Sequence, residues 1–268
     1  MGYEAGEIEY REFPPSRELH PFAVCTWERR VPDGDASSAR RILPDGCIDL
    51  VWRDEDLVIA GPDTGAWTSS VPPGGTVVGL RMRPGIGGSV LGMPASELRD
   101  ARQPVADVWG ESGSDLTERV GETPLPAARR AVLERALIER LADSGSPDSL
   151  VLAATRRLGF RGSRVAALAD ALGISDRQLR RRFHEAVGYG PKTLDRVLRL
   201  QRLVARAPAV ISGDEDLARV AADLGYADQA HMTRDCRRLT GMTPTALAAG
   251  RAARRALAGT ARPAPGSA

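Results

Sequence analysis

The hydrophobic and polar positions in the second half of the chain follow the same helical pattern twice. In Val165–Gly188, and again in Leu217–Gly241, a short apolar helix is followed by a glycine, a polar capping residue and a helix with basic residues on one face. The two capping residues, Ser175 and Asp228, lie 53 positions apart. This order of elements is typical of a helix-turn-helix unit, and the chain contains it twice.

The first unit predicts a sharp turn between two helices. Ser163 is expected to cap a helix over Arg164–Leu172. Gly173 stands where the turn requires a residue that tolerates a positive φ. Ser175 is then expected to cap the second helix, which extends to about residue 187.

The second helix of this unit separates its apolar residues from its arginines. The apolar residues recur every four positions and are expected to face the core: Leu179, Phe183 and Val187. The arginines share another face, at spacings of three and four: Arg177, Arg180 and Arg181. Since arginine binds O6 and N7 of guanine in the major groove, we expect this face to read DNA. A solvated face held by ion pairs is the alternative, but only Asp176 and Glu185 are close in sequence.

The second unit repeats the pattern with fewer long hydrogen-bond donors. Its support helix carries Leu217, Val220, Ala221 and Leu224, Gly225 forms the turn, and Asp228 caps a recognition helix over about 228–240. Arg237 and Arg238 are expected to contact the DNA backbone, and His231 to contact phosphate or solvent. The predicted DNA contacts of both units are Ser175, Arg177, Gln178, Arg180, Arg181, Lys192, Gln229, His231, Thr233, Arg234, Arg237 and Arg238.

The segment between the units predicts a long helix. Pro191 suits a first helical turn, and Pro208 is expected to end the helix after Ala207. Such a helix is roughly 25 Å long. It could therefore hold the two units near the ~34 Å repeat of the duplex, so that they enter successive major grooves.

The charge distribution separates the two halves of the chain. The net charge is only +2, but residues 1–149 contain 16 basic and 25 acidic residues, whereas residues 150–268 contain 21 basic and 10 acidic residues. This contrast indicates two domains, of which the second faces a polyanion such as double-stranded DNA.

These motifs are similar to those of a known family of DNA-binding domains. The segment from about Asp148 to Arg251 resembles the DNA-binding domain of the AraC family of bacterial transcriptional regulators, most closely in Ser175–Phe183, Gly188–Pro191 and Thr240–Pro244. The resemblance implies a seven-helix domain with two helix-turn-helix units joined by a long helix. The sequence departs from the family's pattern at four positions: Met232 and Cys236 replace aromatic residues, Leu247 replaces a tyrosine, and Ala248 follows it in place of an arginine.

The first half of the chain predicts a mostly β domain, so that the whole is of the α+β class. Turn signals rich in proline and glycine separate five candidate strands: Glu7–Phe13, Phe22–Val31, Cys47–Trp52, Leu57–Ala60 and Thr76–Met82. These predict a small sandwich or barrel, by analogy a cupin-like one, followed by short helices over Gly87–Leu91, Pro94–Arg99 and Ser114–Val120. The expected domains are residues 1–142, a linker at 143–149, residues 150–256 and a disordered tail at 257–268.

A longer helix over Pro124–Leu141 has an apolar stripe at helical spacing. The stripe consists of Val132, Leu133, Ala136, Leu137 and Leu141. It is expected either to form a homodimer or to pack on the chain's own β domain, and the sequence does not favour one over the other.

The front domain, residues 1–142, resembles an uncharacterised domain found on other AraC-type regulators. This resemblance implies effector binding or dimerisation. Trp52 and Trp67 could line an apolar pocket with Arg81 or Arg83 as an anchor for an anion, although core packing explains the tryptophans equally well. His20 is the domain's lone histidine and is expected to be a turn residue, so neither a metal nor a cofactor is predicted.

The leading interpretation is a non-enzymatic transcriptional regulator that binds an unknown small-molecule effector, contacts RNA polymerase and acts on the nucleoid in the cytoplasm. The alternatives are an alkyl acceptor that uses Cys25 or Cys47, and a redox sensor that uses Cys236. A non-specific nucleic-acid packaging protein is a further alternative. Two ordered helix-turn-helix units argue against it, because they predict a preference for particular sequences. The chain shows no signal peptide and no apolar run long enough to cross a membrane, so no membrane partner is expected.

Overall fold

The computed structural model of the protein describes residues 9–33, 38–159 and 165–250. The chain forms two compact units, which divide between Val197 and Leu198. The predicted linker at 143–149 contains the end of one helix at Asp143 and the start of the next at Ser149, and the predicted domain bounds stay a prediction. The predicted cap Ser163 and the tail 257–268 lie outside the described residues.

A six-stranded antiparallel sheet is the centre of the first unit. Its strands follow the order β1-β2-β7-β4-β5-β8. Trp52 pairs with Val78 and Asp49 with Arg81 across the central strands β4 and β7. The bounds are β1 Glu9–Phe13, β2 Ala23–Arg30, β4 Ile48–Arg53, β5 Asp56–Ala60, β7 Thr76–Met82 and β8 Arg102–Pro104.

A second sheet consists of two strands, β3 Ser38–Ile42 and β6 Trp67–Val71. Neither strand was predicted from the sequence, and β8 was not predicted either. Their residues are mostly polar or small, so the alternation that marks a half-buried strand is weak. Val71 of β6 packs with Cys25, Trp27, Val51 and Val77 of the larger sheet, and β8 pairs with β5. The first unit is therefore a two-sheet β domain with flanking helices, which confirms the predicted fold class.

Helices cover the other face of the six-stranded sheet. They are α1 Gly87–Leu91, α2 Val105–Trp109, α3 Glu111–Gly121 and α4 Pro126–Asp143. Leu133, Ala136 and Leu137 of α4 are buried in the core with Trp52 and Leu80, and Val132 and Leu141 pack against it. The apolar stripe of α4 thus packs on its own domain. The dimerisation interpretation of this stripe was wrong, because the sheet already covers it.

The first helix-turn-helix unit also belongs to the first compact unit. It contains α5 Ser149–Gly159, a 3-10 turn at Val165–Ala167, α6 Leu168–Ala171 and α7 Asp176–Ala186. The end of α7 packs closely on α1: a Cβ added at Gly88 would lie 2.7 Å from the carbonyl oxygen of Glu185. Glycine at this position allows the two backbones to approach.

Helix α8 spans Pro191–Ser212 and continues through Pro208, so the predicted end at Ala207 was wrong. Tertiary packing outweighs the proline, since Val210 lines a small apolar space with Leu203, Leu217 and Leu247. The second compact unit contains the last part of α8, then α9 Leu217–Asp223 and α10 Gln229–Thr240. Among the described residues, no helix is both long and apolar enough to cross a membrane.

Candidate nucleic-acid interface

The first turn and the cap of α7 have the predicted geometry. Gly173 has φ +68°. The backbone N–H of Gln178 donates to Ser175 Oγ at 3.2 Å, and the backbone N–H of Ser175 donates to Gln178 Oε1 at 2.9 Å. This reciprocal pair satisfies two donors at the helix start. Ser175 and Gln178 were both predicted to contact DNA, but their side chains already hold the end of the helix.

The arginines of α7 lie on its solvent face. Leu179, Phe183 and Ala186 are buried on the opposite side. Arg177, Arg180 and Arg181 are exposed, and Arg181 is 67% exposed with a weak contact to Glu185 at 3.9 Å. Lys192, in the first turn of α8, is also exposed. The three guanidinium groups are therefore accessible to a DNA groove.

Arg182 has a structural role that the sequence analysis missed. Its guanidinium contacts the carboxylate of Asp148 at 2.5 Å. The same carboxylate accepts hydrogen bonds from the backbone N–H groups of Leu150 and Val151 at the start of α5. Arg182 thus joins the recognition helix to α5, and the capping position of Asp148 was the signal that could have indicated this.

The second recognition helix, α10, has the predicted cap. Asp228 accepts a hydrogen bond from the backbone N–H of His231 at 2.6 Å, and Gly225 before it has φ +77°. Met232 and Cys236 are buried in the positions that correspond to Leu179 and Phe183. The predicted DNA contacts on this helix are exposed or half-buried: Gln229, His231, Thr233, Arg234, Arg237 and Arg238.

Two arginines of α8 hold the second unit together, and neither role was predicted from the sequence. Arg199 donates to the carbonyl of Gly225 at 3.3 Å, and its guanidinium lies 5.2 Å from the ring of Tyr226. The Tyr226 ring makes an edge contact with His231 at 5.2 Å. The His231 ring therefore already contacts Tyr226 in the turn before its own helix.

Arg206 of α8 contacts two carboxylates of the second unit. It donates to Glu215 at 2.5 and 2.7 Å and to Asp223 at 2.9 Å. The hydrogen bonds from Arg206 lower the pKa of Glu215. These bonds join α8 to the segment before α9 and to the end of α9, so they set the position of the support helix.

The four residues predicted to form an effector pocket do not lie together. Trp52 is on the helix-covered face of the sheet, with Arg129 5.2 Å from its ring, and lines a surface cavity of about 770 Å³. Arg81 is on the opposite face, because alternate residues of a strand point to opposite faces. Trp67 packs under Arg102 at 4.0 Å, and Arg83 donates to the carbonyl of His20 at 3.0 Å. The pocket as predicted is not assembled.

Arg81 instead lies among carboxylates. It contacts Glu12, Asp45 and Asp49, each at 3.3 Å. Burial raises the pKa of Asp49 to about 6, although Arg81 opposes the shift. Burial disfavours the charge on Arg81, but Asp49 and Asp45 outweigh it and raise the pKa of the guanidinium. Arg81 is therefore already neutralised and is a poor anchor for an anionic effector.

The cysteines are in apolar or acidic surroundings. Burial raises the pKa of Cys25 to about 11, and burial also raises the pKa values of Cys47 and Cys236. A thiol with a raised pKa holds little thiolate and reacts slowly. This environment argues against the alkyl-acceptor and redox alternatives.

His20 contacts the carbonyl oxygen of Pro15 at 3.1 Å, as a turn residue would. Within residues 9–33, 38–159 and 165–250, no cluster of three histidine, cysteine or carboxylate side chains is arranged to hold a metal ion.

Comparison with known proteins agrees with this geometry. Residues 168–250 match a family model described as a helix-turn-helix domain. This family model is of the AraC type, so the match agrees with the predicted resemblance. Residues 11–104 match a domain of unknown function, DUF6597, which agrees with the expected uncharacterised front domain. The substitutions at Leu247 and Ala248 leave both positions buried in the AraC-type domain.

One curated relative and several solved structures are similar to the chain. The HTH-type transcriptional regulator RipA of Corynebacterium glutamicum is 29% identical over 136 residues, which cover 50% of this chain and 34% of RipA. The chain thus matches about a third of that relative's length. The crystal structure of ToxT from Vibrio cholerae O395 has a TM-score of 0.42 at 10% identity, covering 83% of this chain and 96% of ToxT. ToxT from strain SCE256 with bound unsaturated fatty acid has a TM-score of 0.39 at 10% identity, covering 91% and 96%.

Proposed function

We propose that the protein is a sequence-specific transcriptional regulator that inserts α7 and α10 into successive major grooves of double-stranded DNA. The observation that carries this proposal is the repeated capped helix with exposed arginine side chains, within a domain of the AraC type. Helix α8 has 22 residues, which is roughly 33 Å and close to the ~34 Å repeat of the duplex. One chain could then cover a site that other helix-turn-helix proteins cover as dimers.

The division of DNA contacts between the two helix-turn-helix units is part of the proposal; we call the unit that contains α7 the first head and the unit that contains α10 the second head. Arg177, Arg180 and Arg181 read bases, and Gln229, Thr233 and Arg234 make the corresponding contacts of the second head. Lys192, Arg237 and Arg238 contact the DNA backbone, where they position the protein without reading sequence. Ser175, Gln178 and His231 support the helices and contact phosphate from there.

We further propose that the front domain controls DNA binding by taking up a small effector. The contact between α1 and the end of α7 supports this, because a shift in the front domain is transmitted to the first recognition helix. In this proposal the effector site lies not in the predicted Trp52 pocket but on the opposite face of the sheet, around Arg81. In this proposal the protein works in the cytoplasm on the nucleoid, recruits or blocks RNA polymerase, and catalyses no reaction. Homodimerisation stays a prediction, which sedimentation equilibrium tests.

The test is fluorescence anisotropy of the full chain on duplexes from its own upstream region and on a scrambled duplex, at several salt concentrations. We expect a preference for the cognate duplex of ~10³ or more that persists as salt rises. Equal affinities for every upstream fragment and for the scrambled duplex, both collapsing steeply with salt, would contradict sequence-specific regulation of its own promoter.

A further inference from the structure

The side chain of Tyr189 extends from the first head into the front domain. Tyr189 follows α7, and only 2% of it is exposed. Its hydroxyl lies 3.5 Å from the position that a Cβ on Gly46 would take. A Cβ on Gly188, beside it, would lie 2.5 Å from Cγ of Pro62. The phenol therefore lies between the loop that carries Asp45 and the loop that carries Asp63.

The hydroxyl of Tyr189 is a buried polar group without a hydrogen-bond partner among the described residues. Burying a hydroxyl in this way costs free energy, so such groups in folded proteins usually have a partner or a function. Its surroundings are acidic: burial first, and then Asp45, Cys47, Asp63 and Asp100, raise the pKa of Tyr189. A hydroxyl in this place can accept a hydrogen bond from a donor that enters among the carboxylates.

The carboxylates near this hydroxyl have basic or polar partners of their own. Arg81 contacts three carboxylates, and Arg102 makes a bidentate pair with Asp63 at 2.6 and 2.7 Å. Asp100 accepts hydrogen bonds from the backbone N–H and the hydroxyl of Thr64. Among the described residues, the carboxylates of Asp45, Asp63 and Asp100 act on the Tyr189 hydroxyl. A positive charge placed beside the hydroxyl would be attracted by these carboxylates.

We propose that Tyr189, Asp45 and Asp63 form a binding site for a small organic cation that carries an ammonium or amidinium group. The N–H groups of the ligand donate to the phenol oxygen and to the carboxylates, and its charge is attracted by these carboxylates. Charge-assisted hydrogen bonds of this kind are stronger than neutral ones.

The site gives the effector a direct contact with the first DNA-reading head. Tyr189 is three residues after the last residue of α7, so a ligand that holds its hydroxyl favours one arrangement of that helix on the front domain. This regulatory meaning rests on the proposed function. The binding itself does not, because it can be measured without DNA.

The test uses the full chain and four probes of similar shape: benzylammonium, benzamidinium, benzyl alcohol and benzoate. We expect the two cations to bind with Kd on the order of 1 mM and, at about 10 mM, to raise the midpoint of thermal unfolding by a few degrees. Benzyl alcohol and benzoate should leave the midpoint unchanged. Tryptophan fluorescence provides a second readout, since Trp67 lies under Arg102 beside the site.

Two conservative variants locate the binding. Tyr189→Phe removes only the hydroxyl, and Asp45→Asn removes one charge while keeping an oxygen for the N–H of Cys47, now 2.9 Å from Asp45. Each should weaken benzylammonium binding at least fivefold. Asp54→Asn, which removes a carboxylate from the β4–β5 turn, is the matched control and should leave the affinity unchanged. If Asp45→Asn does not fold, Tyr189→Phe decides alone, because the hydroxyl that it removes has no partner.

Four results would overturn the proposal: no binding of either cation at about 10 mM, equal effects of benzyl alcohol, equal losses in Asp54→Asn, or unchanged affinity in Tyr189→Phe. Anisotropy with DNA is measured separately on the protein without probe. A failure of specific DNA binding in that measurement would contradict the proposed function but would not contradict the proposed cation site.

Discussion

The two helix-turn-helix units share their caps and turns but differ in their cores and in their basic residues. Counted from the caps Ser175 and Asp228, Phe183 of the first head corresponds to Cys236 of the second, and both are buried. The solvent face of α7 carries three arginines at positions where α10 has Ala230, Thr233 and Arg234. The first head has the larger core side chain and more groups that can read bases.

The second head relies more on arginines outside its recognition helix. Arg199 and Arg206 of α8 bind its turn and its support helix through carbonyl, carboxylate and ring contacts. The first head instead packs its α7 on α1 of the front domain. A repeated sequence pattern can therefore specify the same helices while different partners hold each copy in place.

The largest expected difference between the heads concerns their cores. Phe183→Ala should lower the free energy of unfolding of the first unit by about 3–5 kcal/mol, because it removes a fully buried ring. Cys236→Ala removes a single sulfur and should cost about 1 kcal/mol in the second unit. Urea unfolding followed by circular dichroism measures both. Equal costs would show that the second core is as tightly packed as the first.

The next effect concerns base reading. Arg181→Ala should weaken binding to the cognate duplex by about 1–3 kcal/mol, since it removes a candidate bidentate contact to guanine, and should affect a scrambled duplex much less. Arg234→Ala should have the smaller effect of the two on the cognate site. Arg119→Ala on α3 makes the same change of charge far along the chain and serves as the control. Anisotropy titrations give the affinities.

A loss that is equal on cognate and scrambled DNA would show that Arg181 only contacts phosphate. A larger loss in Arg234→Ala than in Arg181→Ala would reverse the proposed order of the two heads.

The helix caps should affect the two heads equally. Ser175→Ala and Asp228→Ala each remove an acceptor for a backbone N–H at the helix start and should cost about 1 kcal/mol of stability. Thermal unfolding of each variant tests this, with Ser114→Ala as a control, because that hydroxyl makes only a long hydrogen bond of 3.4 Å, to the carbonyl of Gly110 just before α3. No loss in Ser175→Ala would mean that Gln178 alone holds the start of α7.

The smallest expected effect is that of oxidation. Because burial raises the pKa of Cys236, hydrogen peroxide should not change DNA affinity, and Cys236→Ser should respond to peroxide as the unmodified protein does. Anisotropy before and after peroxide treatment measures this. A peroxide-dependent loss that Cys236→Ser abolishes would revive the redox-sensor alternative.

The helices of the DNA-binding domain could be predicted from the sequence because their signals are local. Ser175, Asp228, Gly173 and Gly225 act within one turn of the chain, and the structure has each in its expected role. The same holds for the longer strands of the front domain, whose apolar residues alternate. Pro208 misled the prediction, because contacts of Val210 with residues far along the chain keep the helix intact.

The front-domain site could not be predicted, because it depends on strand pairing and on faces. The sequence does not show that Trp52 and Arg81 lie on opposite faces of one sheet, nor that Asp49 pairs with Arg81 across β4 and β7. The place of Tyr189 was equally hidden, since Gly46 beside its hydroxyl and Pro62 beside Gly188 are more than a hundred residues away in the chain.

The most direct test of two-headed DNA reading is selection of binding sites from random duplexes by the full chain and by its Arg181→Ala variant. We expect the unmodified chain to select two conserved blocks whose centres lie about 10 base pairs apart, one turn of the duplex. The variant should lose its base preference in one block and keep it in the other. A single block, or no enrichment at all, would contradict the claim that each chain reads two successive major grooves.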